Sequence, residues 1–188
     1  MNLWWFYTRA DTCSFTQMQE RSSIPFGWSE TGDIQKYIRN KPNWERQFKT
    51  FIQVKGDLAY VNDNSWHLND RNLDMVPELF WKLIQIKKDD LIICIESGSA
   101  QTMGKPWISG IGQVIRDASL SYHYNPAYTN AHSVCEGIEW KSMGHLHKNY
   151  PIELPKQDFF ILYEDKEQIK QAHDLLLELS KVEVARQA

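Results

Sequence analysis

Apolar positions along this chain fall into two spacings. Short runs dense in β-branched and aromatic residues, at 3–8, 23–26, 91–96, 107–116, 134–140 and 158–163, predict six strands. Gly and Pro between them predict a closed or strongly bent sheet. Elsewhere the spacing is helical. Asn43 is placed to cap a short helix with Trp44, Phe48 and Phe51 on one face, and Pro77 suits the first turn of a helix aligning Met75, Leu79, Leu83 and Ile86. Asp165 followed by Gln168 has the capping-box pattern, and Ile169, Ala172, Leu176 and Leu179 then form one stripe. Residues 165–188 are therefore expected to be a helix covering an open side of the sheet. Residues 55–72 are polar, rich in Asn and Asp, and without period, which predicts a loop or irregular hairpin. No repeat and no linker rich in Gly, Ser or Pro divides the chain. The expectation is one α+β domain over 1–188, built on a small, mostly antiparallel β-barrel with flanking helices.

Composition sharpens this picture in one respect. With 42% hydrophobic and 24% charged residues among 188, the chain has the make-up of a globular domain large enough for a proper core. The unusual share is aromatic: eight Trp, eight Tyr and eight Phe make 13% of the chain, and such rings belong in cores, interfaces or stacking pockets. A net charge of −3 excludes a general electrostatic sleeve for a phosphate backbone. If nucleic acid is the partner, the grip must be local, from cations such as Arg9, Arg21, Lys36, Arg39 and Lys41. Cys13, Cys94 and Cys135 are widely spaced, odd in number and form no CxxC, which suits a reducing compartment better than a disulfide framework. The apolar run at 3–7 is too short for a signal peptide, and no stretch is long enough to span a bilayer, so a cytoplasmic protein is the expectation.

Three stretches carry candidate chemistry. In 23–34 a strand runs into Gly27, Trp28 and Ser29 follow at once, and Gly32-Asp33 comes next. Gly27 would let backbone approach a ligand, and Trp28 offers a flat wall for stacking, although a core ring beside a strand end is the plainer reading. In 107–114 apolar residues alternate with Gly110 and Gly112, as expected where a barrel bends or something crosses closely. In 122–128 the rings of Tyr122, Tyr124 and Tyr128 crowd a segment of no clear period, a candidate second wall for a stacking pocket or a loop folded on the surface.

Taken in order, the strand ending in Gly-Trp-Ser, the Gly-Asp before a helix, the glycine-containing strand, the tyrosine-rich loop and Ile138-Glu139-Trp140 resemble the PUA-like superfamily. The likeness is to its EVE and YTH branches, and most of all to the EVE-like modules at the start of some McrB-type modification-dependent restriction proteins. It covers about residues 1–163. The resemblance implies a pocket at one end of the barrel that takes a flipped or single-stranded base between aromatic rings. Trp28 and Ser29 stand where the family supplies one wall and a main-chain contact. Tyr122, Tyr124 or Tyr128 stands where the YTH branch has a tryptophan as the other wall, and Arg9, Asp11 and Ser14 stand where the polar edge would come from. Arg21, Lys36, Arg39 and Lys41 would hold the backbone. The implied function is binding without catalysis: recognition of a methylated or hydroxymethylated base, in DNA in preference to RNA, with no cofactor or metal, alongside a nuclease or NTPase effector on a separate chain. Unstacking a base costs a few kcal/mol, a two-ring sandwich returns about 1–3 kcal/mol, and each buried carbon of the modification adds about 0.8 kcal/mol.

Other readings rest on thinner signals. A PUA-like RNA-binding or protein-interaction module without modification specificity is the main rival. Glu139-Trp140-Lys141 has the E-x-K form with which some nucleases hold Mg²⁺, with Asp117 as upstream partner, yet a cross-strand pair explains the same residues. His145-Leu146-His147 with Glu153 is a weak metal-ligand pattern, and surface histidines are the plainer reading. No G-x-S-x-G elbow, Walker loop or G-x-G-x-x-G fingerprint is present.

Overall fold

The computed structural model describes residues 1–9, 13–39, 45–61, 70–98, 106–144, 160–163 and 165–187. It is an α+β chain whose internal contacts divide it into two compact units interleaved in sequence. One comprises Met1–Ser22, Lys87–Arg116 and Gly137–Ala188; the other comprises Ser23–Ile86 and Asp117–Glu136.

The first unit is built on five strands, β1 (Leu3–Arg9), β3 (Leu91–Ser97), β4 (Trp107–Gln113), β7 (Glu139–Ser142) and β8 (Phe160–Tyr163), in the order β7-β4-β3-β1-β8. Among the described neighbouring pairs of this sheet only β1 and β3 are parallel, from Leu3 opposite Leu91 to Arg9 opposite Ser97. A parallel pair needs a long crossover, and residues 23–86 of that crossover form most of the second unit. The apolar run Leu-Ile-Ile-Cys-Ile of β3 suits a central strand, and it is buried on both faces. Leu3, Trp5, Leu91, Ile93, Ile95, Ile108 and Ile111 pack with Ala172, Leu175, Leu176 and Leu179 of the C-terminal helix α5 (Lys166–Gln187). On the other face, Gly110 and Gly112 of β4 make room for the rings of Phe15 and Trp140, which meet edge to face at 5.5 Å. Phe15 opens helix α1 (Phe15–Arg21). Asp90, just before β3, is 1% exposed and accepts from the Asn2 amide at 2.7 Å, the Trp4 indole at 2.9 Å and the Lys87 amide at 3.0 Å. Those donors satisfy a carboxylate that would otherwise be costly to bury.

The second unit joins a small sheet to helices. Its strands β2 (Ile24–Phe26), β5 (His123–Tyr124) and β6 (His132–Val134) run antiparallel in the order β2-β6-β5, with Phe26 and Tyr124 both opposite His132. After β2 come a 3₁₀ turn (Ser29–Thr31), α2 (Gln35–Arg39), α3 (Glu45–Ala59) and α4 (Asp70–Gln85). Phe48 and Ile52 of α3, and Val76, Phe80, Leu83 and Ile84 of α4, are buried.

Several expectations are corrected here. The strands expected to close a barrel form two sheets, and no pairing between β7 and β8 closes the larger one among the described residues. The expected strand at 134–140 is two strands separated by a turn in which Cys135 and Gly137 take positive φ. The polar stretch 55–72 is helical at both ends, because α3 runs to Ala59 and α4 starts at Asp70. Pro77 consequently sits inside α4, not in its first turn, and the buried stripe is Val76, Phe80 and Leu83, while Met75 is 37% exposed. Burying those side chains at about 1.5–3 kcal/mol each offsets the hydrogen bond that proline removes. Asn43 and Trp44 lie outside the described residues. At α5 the Asp165 carboxylate caps the Glu167 and Gln168 amides, but Gln168 Oε1 is buried without a partner, so the box is half made. All three cysteines are buried and in no disulfide; burial pushes Cys13 up to about 11 and Cys94 up as well, which disfavours the thiolate form of both.

Candidate functional site

The geometry that singles out one place in the second unit starts where β2 ends. Trp28 has φ 61° and ψ 43°, the left-handed conformation that bulky L-residues rarely take. Gly27, expected to let backbone approach a ligand, takes no positive φ, and a Cβ on it would meet Asn130 Oδ1 at an ordinary 3.6 Å. Three donors converge on the Trp28 carbonyl: the Thr31 amide at 3.0 Å, the Thr31 hydroxyl at 2.8 Å and His132 Nε2 at 3.1 Å. These bonds hold the strained residue while its ring stays half-buried, 6.1 Å from the ring of Phe80 at a 56° tilt.

His132 is the hub beneath this turn, and it is fully buried. Nε2 lies 3.1 Å from the Trp28 carbonyl and 3.0 Å from Thr31 Oγ1. With the Thr31 hydroxyl donating to that carbonyl, both oxygens accept from Nε2, so Nδ1 accepts and the Tyr122 hydroxyl donates to it at 2.8 Å. Tyr122 Oη in turn accepts from the Ile34 amide at 3.3 Å. The imidazole stacks on Phe26 at 5.1 Å and 18°, meets Phe80 edge-on at 5.2 Å, and has Tyr124 tilted against it at 5.1 Å. Burial lowers the His132 pKa to about 4, against a smaller opposing pull from the Trp28 carbonyl, Asp33 and Glu30. The ring is therefore neutral at physiological pH. Burial likewise raises Tyr122 above the ordinary phenol range.

Ser29 ties this turn to the β5–β6 hairpin. Its hydroxyl donates to the Thr129 carbonyl at 2.5 Å and accepts from the Ala131 amide at 3.4 Å, while its carbonyl accepts the Tyr124 hydroxyl at 2.9 Å. Trp28 and Tyr128 thus each stand one residue from the two ends of the Ser29–Thr129 bond. The hairpin tip is itself ordered by Asn125, which receives the Ala127 amide on its side chain and the Tyr128 amide on its carbonyl. The segment expected to lack a period is a turn with strand on both sides.

Of the residues expected at a base pocket, Trp28, Ser29, Tyr122 and Tyr124 come together around His132, and Tyr128 lies 49% exposed at the hairpin tip. Tyr122 is 5% exposed and its hydroxyl is engaged on both sides, so it is a core ring. Ser14 is in the first unit, where it caps α1 in a complete capping box with Gln17. Arg9 ends β1, and Asp11 and Lys41 fall outside the described residues. Lys36 and Arg39 lie exposed on α2; Arg21 ends α1. His132 was missed because the strand was expected to begin at Val134; its alternation with Val134 is the signal that marks it as inward-facing. Glu139 and Lys141 flank the buried Trp140 on β7, Asp117 opens a 3₁₀ turn in the second unit, and no group of three metal-binding side chains occurs among the described residues. His145, His147 and Glu153 lie outside them. Among the described residues, no helix is long and apolar enough to cross a membrane.

The chain matches no protein-family model, no curated protein and no solved structure.

Proposed function

We propose that this chain is a PUA-like module that binds a modified base in nucleic acid and does not itself catalyse a reaction. The observation that carries the reading is the clamped left-handed Trp28: a bulky ring in a conformation costing roughly 1–2 kcal/mol, held by three hydrogen bonds on its carbonyl and left half-buried. Residues held in such strained conformations concentrate at binding sites and ligand clamps. In this reading the base stacks on Trp28, and Tyr128 supplies the facing ring, because the Ser29–Thr129 bond fixes the two segments that bear them. The buried Tyr122–His132 pair keeps the turn rigid, so little ordering cost falls on binding. A methyl or hydroxymethyl group adds selectivity of about 0.8 kcal/mol per buried carbon. DNA is preferred to RNA as substrate, and cleavage or translocation belongs to a separate effector chain.

The test is anisotropy titration of short labelled oligonucleotides, DNA and RNA, each with one unmodified, methylated or hydroxymethylated base. Tighter binding of one modified probe, lost in Trp28→Ala, is the expected result. Equal affinity for modified and unmodified probes assigns the chain instead to the non-specific RNA-binding or protein-interaction class.

A further inference from the structure

Beside the Trp28 turn lies a surface that the base pocket does not use. The rings of Tyr37 on α2 and Phe51 on α3 stack with centroids 3.7 Å apart and 27° between planes, yet Tyr37 remains 38% exposed. Each ring has an ammonium over it: Lys36 Nζ lies 5.4 Å from the Tyr37 centroid and Lys55 Nζ 5.9 Å from that of Phe51. Lys55 Nζ is also 3.8 Å from where a Cβ on Gly32 would stand, directly after the turn that bears Trp28. Neither lysine has a carboxylate partner among the described residues. Lys49, on the same helix as Lys55, contrasts with them, since Glu45 and Glu78 both hold it. Of the acids on the turn, Glu30 accepts the Tyr60 hydroxyl and Asp33 caps the Gln35 amide.

An ammonium resting on a ring face is held by only about 0.5–1 kcal/mol at an exposed site, so it can turn outward to a phosphate at little cost. An exposed ring backed by a half-buried one, with lysines that have no carboxylate partner beside them, matches a single strand, which presents a flat base and a charged phosphate at every nucleotide. An acidic protein surface would use the lysines and leave the ring idle. Resting on the base-binding reading above, we propose that Lys36, Tyr37, Phe51 and Lys55 form a track for the single strand flanking the bound base, with Lys36 and Lys55 on phosphates and Tyr37 under a neighbouring base.

Anisotropy titrations with single-stranded DNA probes carrying one methylated or hydroxymethylated base, over a salt series, test the track. Competition by the matching free nucleoside reports on the pocket alone. Removing two phosphate contacts should lower the log–log salt slope of Lys36→Gln/Lys55→Gln by about 1.4 and weaken oligonucleotide binding by roughly ten- to thirtyfold at about 0.1 M salt. Nucleoside affinity should stay at the wild-type value. Tyr37→Ala should lose roughly fivefold or more on the oligonucleotide alone. If the double variant keeps wild-type affinity and slope while Trp28→Ala loses binding, the track is wrong and the pocket stands. If wild-type protein binds neither oligonucleotide nor nucleoside, both are wrong. Thermal melting of each variant separates loss of contact from loss of fold.

Discussion

Nε2 of the buried His132 meets the carbonyl oxygen of Trp28 at 3.1 Å, so a strand residue of the hairpin fixes the backbone of an aromatic residue held at positive φ. The same ring accepts the Tyr122 hydroxyl at Nδ1, which makes the three residues one hydrogen-bonded unit. His132→Phe keeps a planar, somewhat larger ring and removes these bonds together with the 3.0 Å contact of Nε2 with Thr31 Oγ1. Tyr122→Phe removes the hydroxyl and leaves Nδ1 and the Ile34 amide without it. Each should cost about 1–3 kcal/mol in urea unfolding. The double variant should cost about 1 kcal/mol less than the sum, because both substitutions break the same bond. Strict additivity would show that the network is not cooperative.

The network also sets a pH dependence. His132 binds a proton near pH 4 when folded and near its ordinary 6.5 when unfolded. Between those values the unfolded chain takes up more protons, so stability rises with pH through the window. The contribution is full above about pH 6.5 and is lost as pH falls toward 4, amounting to about 3 kcal/mol. Urea midpoints of wild type and His132→Phe at pH 7.5 and pH 4.5 isolate it, since carboxylates contribute alike to both proteins. Parallel pH profiles would remove His132 from the account.

What the sequence shows of this site, and what it hides, follows from which signals are local. The Leu3–Arg9 and Leu91–Ser97 runs are strands by composition alone, and the stripe of Ala172, Leu176 and Leu179 is a helix face by spacing alone. The turn at Trp28 is marked by its Gly-Trp-Ser, but its left-handed backbone depends on His132, about a hundred residues away, and no local pattern encodes that bond. Tyr122, Tyr124 and Tyr128 look equivalent in the chain. Their strand register and hydrogen bonds make one a core ring, one a strut to Ser29 and one an exposed ring. The start of α4 was hidden by polar composition, since a helix needs only one apolar face and its first turns here are rich in Asp and Asn.

The glycines of β4 and the one before Trp28 should respond oppositely to a methyl group. A Cβ on Gly110 would come within 2.0 Å of the Phe15 ring and 2.6 Å of the Lys141 carbonyl, whereas one on Gly27 has ordinary contact distance. Gly110→Ala should destabilise by about 2–4 kcal/mol, because the ring cannot retreat without leaving Trp140. Gly27→Ala should lie within about 0.5 kcal/mol of wild type. Guanidinium midpoints of the pair measure this. A Gly27→Ala variant as damaged as Gly110→Ala would mean that the approach to Trp28 is tighter than its geometry indicates.

Trp28 allows the strain and the ring to be tested separately. Trp28→Ala removes the ring and keeps a Cβ in the left-handed region, while Trp28→Gly removes the ring and the steric conflict together. Glycine ordinarily costs about 0.5–1 kcal/mol relative to alanine through chain entropy. At a left-handed position, relief of roughly 1–2 kcal/mol should reverse that order, so Trp28→Gly should be the more stable of the two in urea unfolding. Both should lose modified-base binding equally, since stacking depends on the ring and not on what replaces it. Alanine more stable than glycine here would mean that Trp28 is not held left-handed in solution, and the clamp from Thr31 and His132 would then have nothing to restrain.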